Sequence, residues 1–133
     1  MGLVIDSDVW ILAERSGGRL DLARWSEYGG AYMSAITASE LLVGVDRAST
    51  AQRKAQRGAF VENLLSIIPV LEFSMPVVRT HARMVAALSK NVTAGAHDAM
   101  IAATAIHHGY ALLTRNVPDF KIFAGLKVEA FEL

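Results

Sequence analysis

Asp6, Glu40 and Asp98 are the acids of this sequence best placed to act together. Asp6 follows the apolar run Leu3-Val4-Ile5, Glu40 follows the run Ala31-Tyr32-Met33 and a polar Ser34, and Asp98 stands at the start of a long apolar periodic stretch. Thr114, Asn116 and Asp119 follow a third apolar run in the same way. Carboxylates drawn to one place repel each other and raise their own pKa values unless a cation neutralises them. The chain has no cysteine, so metal ligands are limited to oxygen and imidazole, and an oxygen-only cluster favours Mg²⁺ or Mn²⁺ over zinc. Each acid also has a structural use. Asp6 or Asp8 fits the N-cap of a first helix, although one cap does not require two aspartates. Glu40 fits the last position of a capping box begun by Thr37. Asp98 complements a helix dipole, and Asn116 with Asp119 fits the cap of a turn at Pro118. Convergence of separate segments is what would distinguish chemistry from capping.

The elements that must position these residues follow from hydrophobic spacing. Leu3 to Ile5, Ala31 to Met33, Ile67 to Leu71, Tyr110 to Thr114 and Lys127 to Phe131 read as five strands. Pro69 lacks a ladder donor and places the third at a strand end or sheet edge. Helices are expected after Asp8, from Thr37 toward Val45 with Ile36 and Leu41 as a staple, and through Phe60, Val61, Leu64, Leu65 and Ile68. Further helices are expected from Ser74 and Pro76 with Val78, Val85 and Leu88 on one face, and from His97 to His108, stopped by Gly109. A helical stretch holding Leu20, Leu22 and Trp25 lies between glycine pairs, and a short turn of helix spans Pro118 to Phe123. Strands alternating with helices imply an α/β fold: a parallel sheet of about five strands, covered on both faces, with right-handed crossovers. In such sheets ligands gather at the carboxyl ends of the strands, where all the polar residues named above fall.

At 133 residues, with 53% apolar and 20% charged side chains, the chain is expected to form one domain, residues 1–133, with a single folded core. Thirteen basic and thirteen acidic residues cancel, so a polyanion would need a local patch. Arg47, Arg53, Lys54 and Arg57 form one such stretch, equally readable as a solvated helix face, and Arg115 lies beside the acids, where it could meet RNA phosphate or pair with a carboxylate. Absence of cysteine, of a basic leader and of an 18-residue apolar run argues for a cytoplasmic protein rather than a secreted or membrane-spanning one. His97, His107 and His108 read as structural, Trp10, Trp25, Tyr28 and Tyr32 as packing or interface residues, and Met33, Met75, Met84 and Met100 as core filling.

Four segments carry a family resemblance: Val4-Ile5-Asp6 before a helix, Glu40-Leu41-Leu42-Val43-Gly44, Gly95-Ala96-His97-Asp98-Ala99-Met100-Ile101-Ala102-Ala103-Thr104-Ala105, and Leu113-Thr114-Arg115-Asn116-Val117-Pro118-Asp119-Phe120. In order and separation they resemble PIN-domain nucleases of the VapC toxin type over essentially the whole chain. The resemblance implies a three-layer PIN-like fold and a metal-dependent endoribonuclease. Such an enzyme is the toxin of a type II toxin-antitoxin pair, usually a homodimer, silenced by a cognate VapB-type antitoxin. It implies that Asp6, Glu40 and Asp98 are metal-binding acids, that Asn116 or Asp119 supplies a fourth polar ligand, and that Thr114 orients a ligand or a water. Many relatives carry aspartate where this chain has Asn116, so one or two Mg²⁺ or Mn²⁺ ions are compatible with the set. Two other functions compete. Asp6-Ser7-Asp8-Val9 also resembles the start of a haloacid-dehalogenase-like phosphatase, with Asp6 as nucleophile. A non-catalytic interaction module would keep the fold and bind metal weakly or not at all.

Overall fold

A computed structural model describes residues 1–132 of the chain. Strands β1 (Gly2–Ile5), β2 (Gly30–Ser34), β3 (Val70–Leu71), β4 (Ala111–Thr114) and β5 (Val128–Ala130) alternate with helices α1 (Ser7–Arg15), α2 (Ala35–Asp46), α3 (Ala51–Ile67), α4 (Met75–Ala86), α5 (Ala96–His108) and α6 (Val117–Phe120). A 3-10 helix, Ala23–Tyr28, precedes β2. All strand pairs are parallel, in the order β3-β2-β1-β4-β5. Chain order therefore reverses at β1, the position at which open parallel sheets leave a crevice at their carboxyl ends.

Alternation along the strands sends side chains to opposite faces. Leu3, Ile5, Met33 and Leu113 pack with Val9 and Trp10 of α1, Leu41 of α2, Val61 and Leu64 of α3, and Trp25. Val4 and Leu112 pack on the other face with Val77 and Met84 of α4, five buried residues of α5, and Phe120. The small side chains Ala99, Ala102, Ala103 and Ala105 let α5 lie close between the sheet and α4. Among the described residues, no helix is long and apolar enough to cross a membrane.

Several element boundaries differ from the sequence reading. The second helix begins at Ala35, not Thr37: buried Ser34 is its N-cap, and the Ser34 hydroxyl accepts from the Thr37 N–H at 3.0 Å. Ser34 and Thr37 are both preferred N-cap residue types, and Ser34, buried at the end of β2, is the one that caps. α3 starts a turn and more earlier than its apolar spacing suggests, capped by Thr50, whose hydroxyl accepts from Arg53 N–H. That helix consumes Ile67 and shortens β3 to Val70–Leu71, a sheet edge, as Pro69 requires. On α4 the buried residues are Val77, Thr80 and Met84 rather than Val78 and Val85, a rotation of one position. Met33 and Met84 fill the core, but Met75 at the head of α4 is 61% exposed.

Candidate active site

Asp6 leaves β1 in extended conformation and becomes the N-cap of α1, its Oδ1 accepting from the Ser7 N–H at 2.8 Å. Its own N–H donates to Leu113 O on β4, so ladder and cap together fix its backbone. The other carboxylate oxygen accepts from the Thr114 hydroxyl at 2.9 Å. Although Asp6 caps a helix, it is only 6% exposed, deeper than capping requires. Burial pushes its carboxyl up to about 7, and the Asp8 charge adds to this; the Thr114 and Ser7 hydrogen bonds pull the other way, and Glu40 raises it further.

Glu40 is not a capping glutamate, because the cap of α2 is made by Ser34. It lies further along the helix with its side chain about one-third exposed, 32%. Its Oε2 stands 3.5 Å from His97 Nδ1. Its Oε1 is buried with no hydrogen-bond partner, a property shared only with Trp10 Nε1 among the buried side-chain atoms of the described residues. An unpartnered carboxylate oxygen is expensive inside a protein and calls for a donor or a cation.

Asp98 occupies the first turn of α5, after the N-cap Gly95. A Cβ at Gly95 would lie 3.1 Å from Asp98 Oδ2, so glycine leaves room for that carboxylate. Burial raises the Asp98 pKa, and Asp119 and Glu40 raise it further. Asp119 lies in α6, where its Oδ2 accepts from Asn116 Nδ2 at 2.6 Å. Asn116 precedes α6 without capping it through its side chain, so a capping role does not account for it.

These acids therefore feel one another electrostatically around the carboxyl ends of β1, β2 and β4. Among the described residues, however, no group of three or more His, Asp or Glu is already assembled to hold an ion. Like charges without a counter-ion resist closer approach. Three observations still fit a hard divalent cation: the donors are all oxygen, Glu40 Oε1 is an orphan, and the Asp6 carboxyl is held against its ionised form by burial.

The basic residues are more dispersed. Arg57 donates to Gly44 O at 3.0 Å and pairs with Glu14 at 3.4 Å, yet it lines a cleft of about 120 Å³ together with Glu40 and Arg15. Lys54 makes an exposed pair with Asp46 at 3.8 Å, and Arg47 and Arg53 are exposed. The Arg115 side chain makes no ion pair within 4 Å among the described residues; its backbone N–H is held by Asp8. Asp8 is the residue that sequence reasoning passed over as a spare cap. The signal was present, since Asp6 alone suffices to cap α1.

A PIN-domain family model matches residues 3–125. The chain is 46% identical over 129 residues to Ribonuclease VapC1 of Rickettsia felis, covering 96% of this chain and 95% of that protein. It is 37% identical to Ribonuclease VapC of Rickettsia bellii over the same shares of both chains, 96% and 95%. Among solved structures, VapBC2 from Rickettsia felis bound to a DNA fragment from their promoter superposes with a TM-score of 0.86 at 22% identity, covering 99% of this chain and 100% of that one. A VapBC-5 structure from Mycobacterium tuberculosis gives 0.76 at 25% identity, covering 99% and 98%. The haloacid-dehalogenase reading falls with these matches, and the phosphatase acid it would need, Asp8, is engaged by a backbone amide. A buried aspartate after β1, an orphaned glutamate oxygen on α2 and an acid at the head of α5 thus sit in a chain that belongs to the PIN-domain family, among the VapC ribonucleases.

Proposed function

We propose that this protein is an endoribonuclease, the toxin of a type II toxin-antitoxin pair, and that its activity depends on Mg²⁺ or Mn²⁺ held by Asp6, Glu40 and Asp98, with Asn116 or Asp119 as the fourth donor. The observation that carries the metal reading is the orphaned Glu40 Oε1, together with a buried Asp6 carboxyl that burial and the Asp8 charge push up to about 7. The names of the relatives, ribonucleases at 46% and 37% identity, support the reaction class. Solved complexes described as VapBC support a VapB-type antitoxin as partner.

In this reading Asp6 and Asp98 anchor the ion, and Thr114 holds Asp6 Oδ2 by its hydroxyl so that the carboxylate keeps one orientation. When bound, the cation supplies a more acidic water and compensates charge on the phosphodiester oxygens. Glu40, with one oxygen against His97 and the other without a partner among the described residues, would orient the attacking water and accept its proton. Attack of the water at phosphorus would break the P–O3′ bond and, with the 3′-oxygen taking up the proton released by the water, leave a 5′-phosphate and a 3′-hydroxyl. Arg115, next in sequence to Thr114 and in no ion pair within 4 Å among the described residues, is the candidate phosphate contact, while Arg57 lines a cleft with Glu40 and Arg47, Arg53 and Lys54 are more dispersed. An antitoxin arginine placed among the carboxylates would block the ion's place by a bidentate pair. The protein acts in the cytoplasm as a homodimer.

Cleavage of total cellular RNA with Mg²⁺, Mn²⁺ or EDTA tests the proposal. Cleavage with either ion, none with EDTA and none in Asp98→Asn is expected; cutting by wild type in EDTA would remove the metal, and no cutting under any condition would favour a non-catalytic module.

A further inference from the structure

Asp8 has been given no role as a ligand or base, yet it is not a free surface acid. It stands in the first turn of α1, two residues after Asp6, with its carboxylate turned toward the segment between β4 and α6. Both oxygens accept from the Arg115 N–H, at 3.3 and 3.2 Å, and Oδ2 lies 3.4 Å from the Thr114 hydroxyl. That hydroxyl has one proton, which its shorter contact of 2.9 Å assigns to Asp6 Oδ2. Its oxygen in turn accepts from the Asn116 N–H at 3.0 Å. Two consecutive backbone donors at the root of the arm carrying Asn116 and Asp119 are thus satisfied by Asp8 and Thr114. Dipole compensation, worth about 0.3–1 kcal/mol in a first turn, does not require the carboxylate to leave water for this turn. Nor does capping, which Asp6 performs.

The arm it holds carries a neutral Asn116 and one acid, Asp119, whose Oδ2 accepts from the Asn116 amide. We propose that Asp8 is a positioning residue for the cation: it fixes the arm of residues 114–119 against α1 and supplies, beside Asp6, the negative charge that Asn116 does not. The inference rests on the metal reading of the site given above. Thr114 couples the two functions, since one hydroxyl touches Asp6, Asp8 and the arm.

The test is Mn²⁺ binding to the purified protein, followed by the spectroscopic signal of the free ion, together with hydrogen exchange of the Arg115 and Asn116 amides. Asp8→Asn retains an oxygen for the Arg115 N–H but no charge, and it is expected to bind Mn²⁺ about tenfold more weakly with wild-type exchange at both amides. Asp8→Ala removes both properties and is expected to weaken binding and to accelerate exchange by about tenfold or more. Adding Asn116→Asp to Asp8→Asn returns a charge from the arm and is expected to restore binding, which a purely structural Asp8 would not allow. Wild-type affinity in Asp8→Asn, or no recovery with Asn116→Asp, overturns the inference, and these two variants decide the matter if Asp8→Ala does not fold. A wild-type protein that binds no Mn²⁺ overturns the metal reading and this inference together, whereas normal wild-type binding with an indifferent Asp8→Asn overturns the inference alone.

Discussion

The two ends of the central sheet solve opposite problems. At the carboxyl ends of β1, β2 and β4, Asp6 is buried and Glu40 and Asp98 are partly buried, an oxygen of Glu40 has no partner among the described residues, and Asp6 resists ionisation. At the amino ends, Tyr32 of β2 reaches over Gly2 of β1 to stack on Tyr110 beside β4, ring centroids 4.9 Å apart, and Tyr110 stacks on His108 at the end of α5 at 5.4 Å. Glycine at position 2 is required there, because a Cβ would lie 2.7 Å from the Tyr32 ring and 3.0 Å from that of Tyr110. One end carries apolar stacking worth about 0.5–1.5 kcal/mol for an aromatic pair; the other carries a buried aspartate and an unpartnered carboxylate oxygen, groups that cost stability. Stability and chemistry are segregated along the strands, so mutations at the two ends should separate them.

The largest effect is expected for Asp98→Asn. RNA cleavage should fall by about 10⁴-fold, the scale on which loss of an essential carboxylate acts, while thermal unfolding of the metal-free protein stays unchanged or rises. Single-turnover cleavage beside a melting curve checks both halves.

Next is the pH dependence of the metal-free protein. Asp6 is raised from 3.8 to about 7 in the folded state, so the unfolded chain ionises first. Its contribution is fully favourable below the unfolded value and is lost as pH rises through the folded one, between about 4 and about 7. The loss amounts to up to about 4 kcal/mol at 1.36 kcal/mol per unit. Asp6→Asn keeps a good N-cap and should flatten stability across that window in urea titrations with EDTA. A variant that keeps the wild-type slope would show that Asp6 is not the group responsible.

Gly2→Ala addresses the other end. Crowding two stacked rings should lower stability by about 1–2 kcal/mol and leave cleavage per folded molecule unaltered; equal losses of activity and stability would deny the segregation. The smallest effect is expected for His97→Ala, which removes an exposed pair to Glu40 and should change stability by less than about 1 kcal/mol.

The sheet, its covering helices and the acids at one edge were readable from the sequence because they depend on local periodicity and on acids that punctuate it. Features set by register were not. Thr37 with Glu40 offers a complete capping box, yet Ser34, where β2 ends, is the cap. Asp8 looks redundant until β4 pairs with β1 and brings the Arg115 N–H within reach. The Tyr32, Gly2 and Tyr110 contact joins β2, β1 and the residue before β4, so no window of sequence displays it. The acids themselves were visible singly, but their mutual spacing is set by the strand order and by where α2 and α5 begin, which no single stretch of sequence displays.

Thermal unfolding of wild type and Asp98→Asn with Mn²⁺ or with EDTA tests the central claim most directly. Binding to the folded state alone stabilises by about 2.7 kcal/mol at a hundredfold excess over Kd, so the wild-type Tm should rise with Mn²⁺ and that of Asp98→Asn should not. An equal rise in both proteins, or none in wild type, would contradict a cation site built from these carboxylates.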